Sequence, residues 1–300
     1  MPMAEKVQDE GAVAGGARAR GLDHHARLGR PRLRETPKHI LLLALLALTL
    51  YPFAAMLLIS GKDLAQFTRD PWSVSLPFHV DNYAAAWSSI DHYMLNSLIV
   101  SGASCIGVLV LATLSAFVFA RYSFPGRNVL FYLIIGLLMV PGILTLIPQY
   151  ILVRDLHLLN TRWALILPYI SGGQIFGIFL LRSFFASLPE ELFEAARMDG
   201  ATDLTLLLRL VLPLSWSILA TLAIFQVLAT WNDLIWPAVV IDDDALKTVV
   251  TGIWSFSQQY STDYGPLMAG YTLAALPLLV LFAVASRYFV AGLTSGALKV

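Results

Sequence analysis

"SLPEELFEAARMDGATDLTLLLRLVLPLS", Ser187–Ser215, carries most of its charge in its first half and lies between two long apolar runs, 163–185 and 213–240. Ser187 stands three residues before Glu190, with Pro189 between them, which is the spacing of a capping box at a helix start. At 100° per residue, Glu190, Glu191, Glu194 and Arg197 fall on one arc, and Leu192, Phe193, Ala195 and Ala196 fall on the other. The spacing predicts an amphipathic helix of about two turns, closed by Gly200 in a left-handed conformation. A second helical run starts near Thr202 or Asp203 and feeds through "LTLLLRLVLP" into the next apolar run. A short helix lying across a membrane face is either a docking element for another protein or an interfacial helix resting on lipid, and the residues alone leave both open.

The flanking runs set the class. Hydrophobic residues make up 57% of the chain and charged residues 13%, and the net charge is zero, so bulk charge points to no particular partner and none of it calls for nucleic acid. A crossing takes about 20 mostly apolar residues. Six stretches qualify: 39–60, 93–120, 128–151, 163–185, 213–240 and 265–289. The first is too long, and its polar leader too extended, for a cleaved signal peptide, so it reads as a retained span. The expected fold is an all-α polytopic membrane protein with six transmembrane helices, in contact with membrane lipid.

Lys and Arg gather on one side of these spans. The tail 1–38 holds eight, the loop at 121–127 holds Arg121 and Arg127, the segment 182–212 holds three, and Arg287 and Lys299 follow. The other side has Lys62, Arg69, Arg154, Arg162 and Lys247. The asymmetry predicts that both termini and the Ser187–Ser215 segment are cytoplasmic. The tail itself is rich in Gly, Ala and Arg with few large apolar side chains, which predicts a disordered, basic leader. His24 and His25 have no acidic or Cys neighbours to complete a metal site.

Catalytic constellations are missing from the sequence. Cys105 is the single cysteine and lies mid-span, "SGKD" at Ser60–Asp63 lacks the glycine and hydroxyl of a phosphate-binding loop, and no metal-binding or nucleophile motif occurs. The polar residues within spans are few. Asp233, in "WNDLIWP" (Trp231–Pro237), is the one carboxylate inside an apolar stretch and has no evident intramembrane partner; it lies about 27 Å along span 5 at about 1.5 Å per residue. Trp231, Asn232, Asp233 and Trp236 read either as an interfacial belt and loop or as groups lining a solute route. Gln149 and Gln174 are further lining candidates. Pro141, Gly142, Pro148, Pro168, Gly172 and Gly173 are expected to break regular helix in spans 3 and 4.

Glu194-Ala195-Ala196, three residues, Gly200, nine residues, Leu210, then Leu212-Pro213 resembles the EAA loop, E-A-A-x-x-x-G-x9-I-x-L-P, of permease subunits in binding-protein-dependent ABC importers, with Leu210 for the usual Ile. "EAARMDGA", "WNDLIWP" and the terminal "GLTSGALK" (Gly292–Lys299) resemble the carbohydrate branch, and most of all the MalG-like member of a permease pair. The resemblance covers about 40–300 and implies the MetI/MalG-like permease fold, with a cytoplasmic coupling helix between spans 4 and 5. It implies that Glu194, Ala195, Ala196, Asp199, Gly200, Leu212 and Pro213 couple this chain to a cytoplasmic ATPase dimer. ATP and Mg would bind that partner, and this chain would bind no cofactor. A MalF-like second permease, an extracytoplasmic solute-binding protein and a carbohydrate substrate complete the implied assembly in a bacterial inner membrane. An acidic polar arc also has the wrong sign for anionic lipid, which favours protein docking. The alternative is a stand-alone secondary transporter of a small polar solute, which would show repeated halves and buried charge pairs; neither is visible.

Overall fold

A computed structural model describes residues 36–260 and 263–297, with side chains from 37 to 285 apart from 261 and 262. Residues 1–35 of the basic tail, with His24 and His25, and the last residues of "GLTSGALK" lie outside the described residues. All described elements are helices. Contacts divide the chain at residue 50. The first unit contributes the start of α1 (Thr36–Ser60), whose apolar side chains from Ile40 to Leu50 are exposed, as suits a helix whose solvent is hydrocarbon.

The second unit continues through α1 to the short α2 (Leu64–Arg69), which Asp63 and Gln66 close in a reciprocal capping box. α3 (Asp81–Arg121) has 41 residues, beginning well before the expected span at 93. At about 1.5 Å per residue it is about 60 Å long, twice the hydrocarbon thickness. α4 (Arg127–Gly136) tightens into a 3-10 turn, Leu137–Met139, and α5 (Gly142–Asp155) leaves at 102° to it. Pro141 causes this break: it forces Val140 into extended backbone (φ −82°, ψ 115°) and has no N–H to continue the ladder. The expected span 128–151 is therefore a broken pair.

α6 (Trp163–Phe185) corrects the expectation in the other direction, running unbroken through Pro168, Gly172 and Gly173. Gly173 and Gly177 serve close packing instead. A Cβ on Gly173 would sit 2.5 Å from Gln226 Oε1 and 2.6 Å from Val108, and one on Gly177 would sit 2.7 Å from the Ala112 Cβ. The next helices are α7 (Glu190–Met198) and α8 (Asp203–Thr205), the latter passing into a π turn, Leu206–Val211, and α9 (Leu212–Leu214). Pro213 has no N–H for the Arg209 carbonyl one turn earlier, and the backbone bends by 79° at Ser215 into α10 (Trp216–Trp231). α11 (Ile235–Val240) is separate, so 213–240 is three helices rather than one span. α12 (Val249–Gln259) precedes α13 (Tyr264–Ala297).

Among the described residues, four helices are each long and apolar enough to cross a bilayer: Pro37–Ser60, Asp81–Arg121, Trp163–Phe185 and Tyr264–Ala285. The two bent pairs bring the crossings to six when each counts as one span. Among the described residues, three buried clusters hold the second unit together. One joins α3, α4, α6, α7, the π turn and α10 around Phe185, Phe193, Leu206 and Leu222. A second joins α3, α10, α12 and α13 around Ile90, Trp231 and Phe256. The third joins α3, α5, α6 and α11 around Leu165 and Trp236.

Candidate functional site

A cavity of about 810 Å³ opens between α5, α6 and α10, bounded at one end by the turn into α11. Its polar groups are Thr145 and Gln149 on α5, Tyr169 on α6, Gln226 and Thr230 on α10, and Asp233 after it. Phe176 and Phe225 add aromatic walls, their rings 5.6 Å apart and edge to face. Among the described residues no Lys or Arg lines it. Hydroxyls, amides, one carboxylate and aromatic faces are the groups that bind a polyhydroxy solute without binding it tightly.

Asp233 has a partner after all. The Tyr169 hydroxyl donates to its Oδ2 at 2.9 Å, and the backbone N–H groups of Ile235 and Trp236 donate to its Oδ1 at 3.0 and 3.4 Å. The carboxylate thus caps α11 and ties it to α6. Trp236 lines the cavity, yet its indole N–H donates 3.0 Å to the Ala164 carbonyl. Pro168, four residues on from Ala164, has no N–H to fill that carbonyl, so the tryptophan takes the vacancy.

Gln149 lines the cavity as expected, but Trp231, Asn232 and Gln174 do not. Trp231 is buried in the cluster of α3, α12 and α13. Asn232 is exposed and donates to the Leu228 carbonyl at the end of α10. The Gln174 amide nitrogen is buried without a partner, away from the cavity. Neither Trp231 (3% exposed) nor Trp236 (5%) belongs to an exposed aromatic belt. The sequence reading missed Tyr169, Thr145, Gln226 and Thr230. A signal existed for two of them: Gln226 and Thr230 stand at i and i+4 on a largely apolar helix, and Asp233 follows at i+7 just past its end.

α7 forms where expected but begins differently. Ser187 does not cap it; its hydroxyl donates to the Phe184 carbonyl at 2.7 Å, and Pro189 is the N-cap residue, without a side-chain bond. Glu190 is engaged elsewhere, accepting from Arg121 at 2.7 Å and from Arg197 at 3.4 Å, while Glu190 and Glu191 still suit the positive end of the helix dipole. The C-terminus is a Schellman motif: Gly200 at φ +83° donates to the Arg197 carbonyl, and Ala201 donates to that of Ala196, both at 3.0 Å. Thr202 then caps α8.

Phe193 is fully buried and Ala196 packs beside it. Leu192 and Ala195, expected on the apolar arc, are exposed together with Glu191, Glu194, Met198 and Asp199. The outward face of α7 is thus acidic with apolar interruptions. Leu212 is half-buried in the core and Pro213 is exposed at the bend, so these two shape the connection to α10 rather than the face of α7. Just beyond α3, burial and then the Asp203 carboxylate push the Tyr122 phenol pKa up.

The chain belongs to the family of binding-protein-dependent transport system inner membrane components, whose model matches residues 108–295. It is a multi-pass permease subunit and not itself an enzyme, which sets aside the stand-alone secondary transporter. It is 35% identical to the probable ABC transporter permease protein YurM of Bacillus subtilis, over 88% of this chain and 89% of that one. It is 34% identical to the diacetylchitobiose uptake system permease protein NgcG of Streptomyces coelicolor, over 87% and 88%. The fold is similar to a chain in the crystal structure of a bacterial ABC transporter involved in the import of the acidic polysaccharide alginate, with TM-score 0.75 and 22% identity, covering 86% of this chain and 97% of that one.

Proposed function

We propose that this permease forms half of the route by which an ATP-driven importer carries a carbohydrate or related polyhydroxy solute. One observation carries the reading: a cavity of about 810 Å³ between α5, α6 and α10 is lined by hydroxyl, amide, carboxylate and aromatic groups. A relative named for diacetylchitobiose uptake supports the substrate class. In the proposed assembly a MalF-like second permease closes the other side of the route, and a solute-binding protein delivers solute to it. α7 docks on one subunit of a cytoplasmic ATPase dimer, where ATP and Mg are bound. Both termini and α7 then share the cytoplasmic side.

Chemically, the cavity groups would exchange hydrogen bonds with passing hydroxyls, while Phe176 and Phe225 offer apolar faces to sugar rings. Asp233 is already oriented by Tyr169 and two backbone N–H groups, so its free lone pairs meet the solute without rearranging. The reconstituted set of both permeases, ATPase and binding protein tests the reading. Uptake should require ATP and binding protein. Asp233→Asn, which keeps the cap and the size, should leave uptake within about threefold, whereas Asp233→Leu should weaken solute affinity about tenfold, the cost of about one charge-assisted hydrogen bond. Uptake driven by an ion gradient with this chain alone would overturn the function, and unchanged affinity in Asp233→Leu would remove Asp233 from the route.

A further inference from the structure

The Arg121 side chain, only 7% exposed, gathers the ends of three helices at once. Its Nη1 donates to Glu190 Oε2 at 2.7 Å, in the first turn of α7. Its Nη2 donates to the carbonyls of Phe185 at 2.6 Å and Leu188 at 2.9 Å, which leave the C-terminus of α6. Its guanidinium carbon lies 3.6 Å over the ring centroid of Phe193, the buried anchor of α7. Arg121 itself is the last residue of α3. The fit is costly, because its Nε is buried without a partner. Burying a cation in this way adds little to stability, and a hydrophobic replacement is often neutral. What the arrangement adds is direction.

Phe193 alone would hold α7 by apolar contact, which resists separation but not sliding or rotation. A planar guanidinium that binds a carboxylate on α7 and two carbonyls on α6, and stacks on α7 as well, fixes both distance and angle. α6 continues from that point to Phe176, Gly173, Gly172, Tyr169 and Pro168 in the cavity wall. We propose that Arg121 is the positioning residue through which displacement of α7 is carried into α3 and α6, and through α6 into the wall of the solute cavity. This rests on the reading of α7 as the coupling helix.

Arg121→Lys and Arg121→Met test it in the assembled complex, with binding-protein-stimulated ATP hydrolysis, unstimulated hydrolysis, uptake and retained ATPase measured side by side. Lysine keeps the charge but cannot span both carbonyls and the carboxylate. Both variants should retain the ATPase and the unstimulated rate, and lose stimulation and uptake together by about tenfold or more, as expected for lost charge-assisted bonds. Glu190→Gln should give a smaller loss, and adding it to Arg121→Met should cost nothing further, because the two act through one contact. Stimulation that survives both Arg121 variants, additive losses with Glu190→Gln, or loss of the ATPase from the complex would each overturn the proposal. The wild-type complex separates this from the underlying reading: if it shows no stimulation by loaded binding protein, the importer reading fails and this one with it.

Discussion

Pro168 and Trp236 illustrate what single residues settle here. A proline inside a membrane helix leaves one carbonyl unbonded, and in hydrocarbon that is expensive. The indole N–H of Trp236 fills it from another helix, 72 residues away in sequence. Trp236→Phe should therefore strand a buried acceptor, costing about 1–3 kcal/mol, and lower the thermal unfolding midpoint of the purified protein. Adding Pro168→Ala, which restores a local N–H, should recover much of the loss; a double variant as unstable as Trp236→Phe would show that ring volume matters instead. Trp236 stood out in the sequence as an aromatic near a span end, but its bonding role did not, because it depends on a vacancy in a distant turn. Asp233 was legible as unusual for the same reason that its partner was not: a search for opposite charge passes over the neutral hydroxyl of Tyr169.

At the scale of elements, α7 was the most legible part of the chain, since its amphipathic spacing and Gly200 are local signals. Its N-terminus was not, because Glu190 is drawn away by Arg121 from a different helix. Gly200→Val has open space around the added side chain, yet must hold φ near +83°, which should cost on the order of 1 kcal/mol or more. We expect that variant to insert and pair normally while stimulated ATP hydrolysis falls sharply, and hydrolysis assays on the assembled complex will read it. The broken spans were only half legible. Hydropathy marks 128–151 as apolar but carries no information on direction, which Pro141 decides. Pro141→Ala should permit helix across the break and swing Thr145 and Gln149 away from the cavity. Uptake per inserted complex should drop while abundance holds, and unchanged uptake would show that the bend is set by packing alone. α12 escaped notice because its 11 residues are too few to register as a span.

For the whole molecule, the polytopic all-α class followed from the grouping of apolar residues, whereas the packing of α3 against α6, α10, α12 and α13 is tertiary and left no single-residue trace. The Lys and Arg asymmetry predicts that a reporter fused after Val300 is active only if its chemistry works in the cytoplasm; activity confined to the opposite side would reverse the orientation. The length of α3 has a mechanical consequence. A straight rod of about 60 Å, turned by 5° about its middle, shifts each tip by about 2.6 Å in opposite senses. Arg121 is at one tip, and the other, near Asp81, lies near the helix that carries Phe256. If α3 tilts as one rigid body, a push on either tip would arrive at the other with its sign reversed.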